Sequence, residues 1–163
     1  MIFRCGTPSE IAPADKAAFI EFVAAAGEVN RALLPGLVDN AMALVTLFAG
    51  DRLIGTAAIK TPHAAHRVGE FTKANVEREA ESFPLELGWV VVHPDCRGRG
   101  LARALVRAAV KLADDRGIYA TTKTSQMLAI LQENGFEPVG DTYPSVLVPG
   151  TRLTLLARRA RTS

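Results

Sequence analysis

The feature that most constrains the fold is a glycine-rich turn that joins an apolar run to an amphipathic run. The apolar run, 85–92, ends just before Pro94, and proline cannot donate to a strand ladder, so we expect a buried strand that ends there. Leucine and alanine then recur every three or four residues over 101–116, which predicts an amphipathic helix. The turn between them contains Gly98 and Gly100. A strand therefore leads through glycines directly into a helix.

This arrangement suits the binding of an anion. The first N–H groups of a helix lack partners within the helix, and glycines let the backbone approach phosphate oxygens closely. Arg97 and Arg99 add positive charge to the turn. The alternative is a structural turn with solvated arginines. The Gly-Lys-Ser/Thr ending of a nucleoside triphosphate loop and the Gly-x-Gly-x-x-Gly of a dinucleotide-binding turn are both missing.

The pattern Arg97-x-x-Gly100-x-Ala102 resembles the Arg/Gln-x-x-Gly-x-Gly/Ala signature of the GNAT superfamily of N-acetyltransferases. Four further features occur in the same order as in the family. They are a Val-x-Pro sequence at 92–94, a strand at 118–123, a helix from 125 onward and an Asn-Gly-Phe ending at 134–136. With the hairpin upstream, the resemblance covers nearly the whole chain. It implies a mixed α/β (α+β) fold with a twisted, mostly antiparallel central sheet, splayed between two central strands, and helices on both faces.

The resemblance also implies a site for acetyl-CoA as co-substrate, with no metal. Backbone amides of the turn would hold the pyrophosphate, and the pantetheine arm would pair with the end of strand 85–92 as a pseudo-strand. A backbone amide there would stabilise the oxyanion. Thr124 lies near the place of an asparagine that the family usually carries. The implied cofactor-binding residues are Val90, Val91, Val92, Arg97, Gly98, Arg99, Gly100, Leu101, Ala102 and Thr124.

Catalysis requires a neutral amine, so a base should remove one proton before attack on the thioester. Glu86 is the predicted base, at a place where the family often carries a carboxylate, and the alternative is a strand-end glutamate that faces water or holds Lys60. The family's usual acid, a tyrosine, is replaced here by Leu131. Tyr143 in the last loop is the substitute acid, and the alternative is an ordinary surface or core aromatic.

The histidines and cysteines argue against metal chemistry and against disulfides. His63 and His66 could offer two imidazoles at the spacing of one helical turn, but no nearby cysteine or acidic cluster completes four ligands. Cys5 and Cys96 stand far apart and form neither a disulfide framework nor a zinc pattern. Cys96, beside Arg97, could be reactive, and the alternative is an arbitrary loop residue. We therefore expect a reduced, cytoplasmic protein.

The rest of the chain predicts one domain, 1–163. A strand, a helix, a broken helix and a hairpin are predicted upstream, at residues 2–5, 13–26, 30–40, 42–48 and 53–60. Two closing strands are predicted downstream, near 136–140 and 152–157. Residues 61–84 lack a clear pattern and are interpreted as an insertion, either a lid over the acceptor site or a mobile loop without chemical role.

Charge and hydropathy limit the partners. Lys plus Arg number 19 against 17 Asp plus Glu, which is too balanced for a nucleic-acid-binding surface. The basic C-terminal tail, Arg158 to Ser163, could touch nucleic acid, but arginines at a frayed end are usually solvated. The apolar run 41–49 is too short to span a bilayer, and the first residues do not form a signal peptide.

The predicted function is acetyl-CoA-dependent transfer of an acetyl group directly to a primary amine of a small molecule. A peptide or protein amino group is an alternative acceptor. The missing tyrosine leaves a second alternative, a non-catalytic acyl-CoA binding or sensing module. A homodimer is compatible with the resemblance, since dimers are frequent in the family.

Overall fold

The computed structural model describes residues 1–161, and its contacts divide the chain into two compact units. The first unit contains Met1–Thr61 and Leu87–Leu112, and the second contains Pro62–Glu86 and the residues from Ala113 onward. In chain order, the elements are β1 (Ile2–Gly6), α1 (Pro13–Ala25), α2 (Leu34–Asp39), β2 (Ala43–Ala49), β3 (Arg52–Lys60), α3 (Ala64–Lys73), β4 (Leu85–Val92), α4 (Leu101–Ala113), β5 (Ile118–Thr122), α5 (Ser125–Glu133), β6 (Glu137–Pro138), β7 (Tyr143–Pro144) and β8 (Arg152–Arg158).

The first unit is built on a meander of antiparallel strands. β1 pairs with β2, and β2 pairs with β3 across a turn at Gly50, which has a positive φ of 61°. β4 hydrogen-bonds beside β3. The core of this unit lies between the sheet and the first two helices, and its most buried members are Phe19, Val23, Leu34, Val38, Leu44 and Ala58.

The second unit contains the other strands. The first two residues of β4 pair with β5 in parallel, with Leu85 opposite Ile118 and Glu86 opposite Tyr119. β8 pairs antiparallel with β5, β6 and β7. The predicted class, a mixed α/β fold with a mostly antiparallel open sheet and helices around it, is confirmed.

Residues 61–84, in which the sequence shows no clear pattern, contain regular structure and buried side chains. This segment forms α3 and a 3₁₀ helix, Glu77–Ser82. Phe71 and Phe83 are fully buried and stack on each other with ring centres 5.7 Å apart. These side chains are part of the core of the second unit, so the segment is anchored by apolar burial that its polar composition concealed.

Smaller differences from the predictions have local causes. α4 ends at Ala113 rather than at 116, because Asp114 adopts a positive φ of 56° that a helix cannot contain. Thr124, which directly precedes the helix predicted from 125 onward, caps α5, with its Oγ1 accepting from the Met127 N–H at 3.2 Å. The short strand β7 was not predicted, since two residues carry no periodic signal.

The start of the basic tail is ordered rather than frayed. Arg158 is the last residue of β8, and the Arg159 guanidinium lies 3.4 Å from the Glu79 carboxylate. The Arg161 N–H donates to the Asp115 carbonyl at 3.0 Å. Thr162 and Ser163, which end the tail, lie outside the described residues. Within residues 1–161, no helix is long and apolar enough to cross a membrane.

Candidate active site

Strand β4 changes character along its length. Leu85, Glu86 and Leu87 are buried, whereas every residue from Gly88 to Val92 is partly exposed. Three consecutive valines, 90–92, are therefore within reach of solvent. The sequence predicted a buried strand along this whole run, and burial holds for its first three residues only.

Trp89 interrupts the regular strand. Its φ is 51°, which costs a bulky residue about 1–3 kcal/mol and needs support from the surroundings. The Thr56 hydroxyl donates to the Trp89 carbonyl at 2.8 Å, and the indole meets the Phe19 ring edge-on with ring centres 6.1 Å apart. The Lys60 ammonium lies 4.8 Å from the centre of the indole. These contacts hold a kinked backbone just before the valines.

The turn after β4 has the backbone expected of an anion cradle. Gly98 and Gly100 have positive φ values of 77° and 75°, and a Cβ added at either would meet no described protein atom within 4 Å. The bond from the Ala104 N–H to the Gly100 carbonyl, 3.2 Å long, opens α4. N–H groups ahead of such a bond have no acceptor in the helix. The predicted residues Arg97 to Ala102 make up this turn and the first residues of α4.

His93 fixes the entry to this turn. Its N–H donates to the Ile54 carbonyl at 2.8 Å, which ties the end of β4 to β3. The Asp95 N–H donates to the His93 Nδ1 at 3.1 Å, and the N–H of the buried Cys96 donates to the His93 carbonyl at 2.8 Å. These hydrogen bonds hold the backbone at residues 93–96, so the glycines that follow begin from a fixed position.

Glu86, the predicted base, is buried in the second unit with 8% of its surface exposed. The Tyr119 hydroxyl donates to its Oε2 at 3.1 Å, and the His66 Nε2 lies 3.8 Å from the same oxygen. Burial, followed by the charge and hydrogen bond of Glu86, raises the pKa of Tyr119. The phenol therefore stays protonated and remains a donor to the carboxylate at neutral pH.

Tyr143, the predicted substitute acid, is 4% exposed and lies in β7 rather than in a loop. Its hydroxyl donates to the Glu70 Oε2 at 2.5 Å, and the Lys73 ammonium lies 3.2 Å from the other oxygen of that carboxylate. Burial, followed by the hydrogen bond to Glu70, raises the pKa of Tyr143. The phenol is thus a donor whose proton is tightly held.

The remaining predicted positions have structural contacts of their own. Thr124 caps α5 and also lies 3.5 Å from the Thr122 hydroxyl. Leu131, which stands at the family's tyrosine position, is buried in α5 with 1% exposed. Among residues 1–161, no group of three or more His, Cys, Asp or Glu side chains is arranged to hold a metal.

The sequence reasoning missed two partners of the predicted residues. Glu70 on α3 and Tyr119 on β5 hydrogen-bond the predicted acid and base, respectively. The available signal for Tyr119 was its place in an apolar strand, where a hydroxyl requires a partner. Glu70 follows His66 by one helical turn, which would place both on one face had α3 been recognised.

The comparisons with solved structures establish the fold. ElaA from Escherichia coli has a TM-score of 0.72 at 15% identity, over 98% of this chain and 100% of that chain. Salmonella typhimurium yncA, solved with its cofactor acetyl-CoA, has a TM-score of 0.70 at 15% identity, over 100% and 96%. The ribosomal-protein-alanine N-acetyltransferase from Brucella melitensis has a TM-score of 0.63 at 17% identity, over 98% and 99%. No curated protein matches the sequence.

These likenesses show the fold, and the sequence supplies the family. The profile of the Acetyltransferase (GNAT) family matches residues 15–136, which include the strand, the glycine turn and the helix described above. The chain belongs to the GNAT acetyltransferase family and is an N-acetyltransferase. The resemblance inferred from the Arg97-to-Ala102 pattern is confirmed.

Proposed function

We propose that the protein transfers an acetyl group directly from acetyl-CoA to a primary amine of a small molecule. The observation that carries the proposal is the turn after β4, where two glycines with positive φ precede a helix whose first N–H groups need acceptors. In that role, the amides of Arg97 to Ala102 hold the pyrophosphate, and the two arginines of the turn add charge.

The backbone of Val90 to Val92 binds the pantetheine arm, and one of its N–H groups donates to the oxyanion. The partial exposure of these residues supports this role, since a pairing edge must be reachable. Thr124 is retained as a further contact of the cofactor. Acetyl-CoA, when bound, supplies the activated acetyl group, and the other groups in the reaction come from the chain, the acceptor and water.

Glu86 assists removal of the amine proton, and Tyr143 is retained as the acid for the leaving thiolate. A thiol with an ordinary pKa of about 8.5 leaves readily, so water can protonate it after departure. The acid is therefore the less demanding of the two roles. The raised pKa of Tyr143 keeps the phenol protonated at neutral pH and makes it a weak acid, and its present acceptor is Glu70.

A panel of amines tests the acceptor class. Small alkylamines, arylalkylamines and polyamines, together with peptides bearing free amino termini, are each incubated with acetyl-CoA, and release of free CoA is followed. We expect the small amines to consume thioester fastest. Faster turnover of the peptides would make a protein amino group the acceptor, as the Brucella melitensis relative's name indicates for that protein.

The same panel separates an enzyme from a sensor. If acetyl-CoA raises the melting temperature but no amine consumes the thioester, the non-catalytic binding module replaces this proposal. If no CoA species gives heat in titration calorimetry, the cradle itself is wrong. The two free cysteines agree with the proposed reduced, cytoplasmic location. Binding to nucleic acid or membranes is not part of the proposed function.

A further inference from the structure

A half-exposed imidazole stands beside the buried carboxylate that the proposed function uses. The His66 side chain is 54% exposed and the Glu86 side chain is 10% exposed, with 3.8 Å between Nε2 and Oε2. His66 lies in the first half of α3, and Glu86 lies at the start of β4. Of the two, the imidazole is the group that an amine arriving from solution can reach.

The carboxylate is held in place from its other side. The Tyr119 hydroxyl, which is fully buried, donates to the same Oε2 that faces His66. The Tyr119 ring packs edge-on against Phe71 of α3 at 5.3 Å, so the helix and the two strands share one packed support. A base whose partner is in turn oriented by a third group is the arrangement that activates nucleophiles in many enzymes.

We propose that His66 is the catalytic residue that takes the proton from the acceptor amine, and that Glu86 is a positioning residue for it. The neutral imidazole accepts one proton from the ammonium through Nδ1, in the tautomer that carries its hydrogen on Nε2, the nitrogen 3.8 Å from the Glu86 Oε2. The resulting imidazolium faces an anion, and the proton then passes to water. The inference rests on the proposed function. It changes the role of Glu86 from accepting the proton to orienting His66, which accepts it.

The chemistry fits the side chain. Imidazole is the side chain whose unperturbed titration lies closest to neutral pH, which is where a general base is most effective. The charged or titratable groups near the pair include Tyr119 of β5, which bonds Glu86, and Arg67 and Glu70 of α3, whose charges act on Tyr119, while Glu70 also bonds Tyr143 of β7. Arg67 lies 3.6 Å from the Glu81 carboxylate, and Glu70 lies 3.2 Å from the Lys73 ammonium. Each therefore has an ion partner of opposite charge.

The test compares His66→Gln with Glu86→Gln, the double variant and His63→Gln. His63 is the matched control, because it precedes α3 by one residue and lies one helical turn from His66. The substrates are the best alkylamine of the panel and its β,β-difluorinated analogue, whose two fluorines lower the amine pKa to near neutral; both are assayed at a pH just above that value. Release of CoA gives kcat/KM, and calorimetry with acetyl-CoA verifies that each variant is folded and binds.

We expect His66→Gln to lower kcat/KM for the alkylamine by about 100-fold, within the range of general base catalysis, and to spare the fluorinated amine. Glu86→Gln should follow the same pattern, and the double variant should be no worse than the worse single one, because the two residues act as a unit. His63→Gln should stay within about twofold of the unmodified protein.

Three results would overturn the inference: wild-type turnover in His66→Gln, equal losses for both amines, or losses that multiply in the double variant. The first of these leaves the proposed function standing, with Glu86 as the direct base. If the unmodified protein acetylates no amine, the proposed function and this inference fail together. The two failures are therefore distinguishable by the activity of the unmodified protein.

Discussion

Gly100 is the residue of the proposed cofactor site at which we expect a side chain to be tolerated least. Its φ of 75° disfavours any side chain, and the space beside it is open within the described structure. A substitution therefore acts through the backbone and through the room left for phosphate, without an internal clash.

Gly100→Val should abolish binding of acetyl-CoA in titration calorimetry, because a branched side chain occupies the approach to the amides. Gly50→Val is the matched control, since Gly50 also has a positive φ, 61°, and open surroundings but lies in the β2–β3 turn. Both variants should lose a similar amount of stability, and only the first should lose binding. Unchanged affinity in Gly100→Val would contradict the cradle.

Glu86→Gln should reduce turnover most at pH values below the pKa of the acceptor amine. There the amine arrives as an ammonium and requires assisted loss of a proton, whereas above that pKa it arrives neutral. The pH profile of kcat/KM with one alkylamine measures the effect. A profile that coincides with that of the unmodified protein would remove Glu86 from the mechanism.

The sequence predicted the residues of the glycine turn because a turn of that shape demands particular residue types. It could not predict that Tyr119 would hold Glu86, because that contact depends on the register between β4 and β5. Register between parallel strands is set by packing over the whole sheet and leaves no local pattern. The pairing of Tyr143 with Glu70 was concealed for another reason, since it joins β7 to α3 and neither element was predicted.

At the scale of elements, β4 carries most of the proposed site, and its kink at Trp89 depends on a neighbouring strand. The supporting hydrogen bond comes from Thr56 of β3, whose side chain is fully buried. The Thr56 hydroxyl of β3 thus supports the backbone of β4 just before Val90 to Val92.

Thr56→Val should lower the free energy of unfolding by about 1–3 kcal/mol, since the Trp89 carbonyl loses its partner. It should also weaken acetyl-CoA binding, because the valine segment of β4 loses its support. Thr56→Ser keeps the hydroxyl and loses only a methyl, at a cost of about 1 kcal/mol, so its binding should stay near normal. Urea unfolding and calorimetry on both variants measure these effects. If the two variants bind acetyl-CoA with equal affinity, the kink at Trp89 does not contribute to binding.

Helices α1 and α4, whose residues are apolar on average, were predicted from the sequence, whereas the more polar helix α3 was missed. α3 has a net polar sequence, and its one fully buried side chain is Phe71. A helix that contributes so few residues to a core resembles a loop in sequence, because only tertiary packing distinguishes the two. The interpretation as a single domain remains a prediction.

At the scale of the whole molecule, the two buried tyrosines should make the folded state less stable at alkaline pH. Tyr119 and Tyr143 are the only tyrosines of the chain, and each donates to a glutamate. Burial raises the pKa of both above the ordinary value. The folded state therefore keeps two protons that the unfolded chain releases above its own pKa near 10.

Stability should be unaffected by these groups below about pH 10 and should fall above it, by about 1.4 kcal/mol per pH unit for each tyrosine. Urea unfolding at increasing pH measures the fall, and tyrosinate absorbance shows when ionisation occurs. Tyr119→Phe and Tyr143→Phe should each reduce the fall in stability with pH by about 1.4 kcal/mol per pH unit. Ionisation of both phenols in the folded protein near their ordinary pKa would contradict this prediction.

The placement of Trp89 has a practical consequence, since it is the only tryptophan in the chain. Its indole is partly exposed, lies beside the Lys60 ammonium and immediately precedes the three valines. Indole emission responds to nearby charge and polarity, so the fluorescence of the unlabelled protein should report directly on occupancy of that strand. A nucleotide thioester could then be titrated optically, one residue serving as an intrinsic reporter.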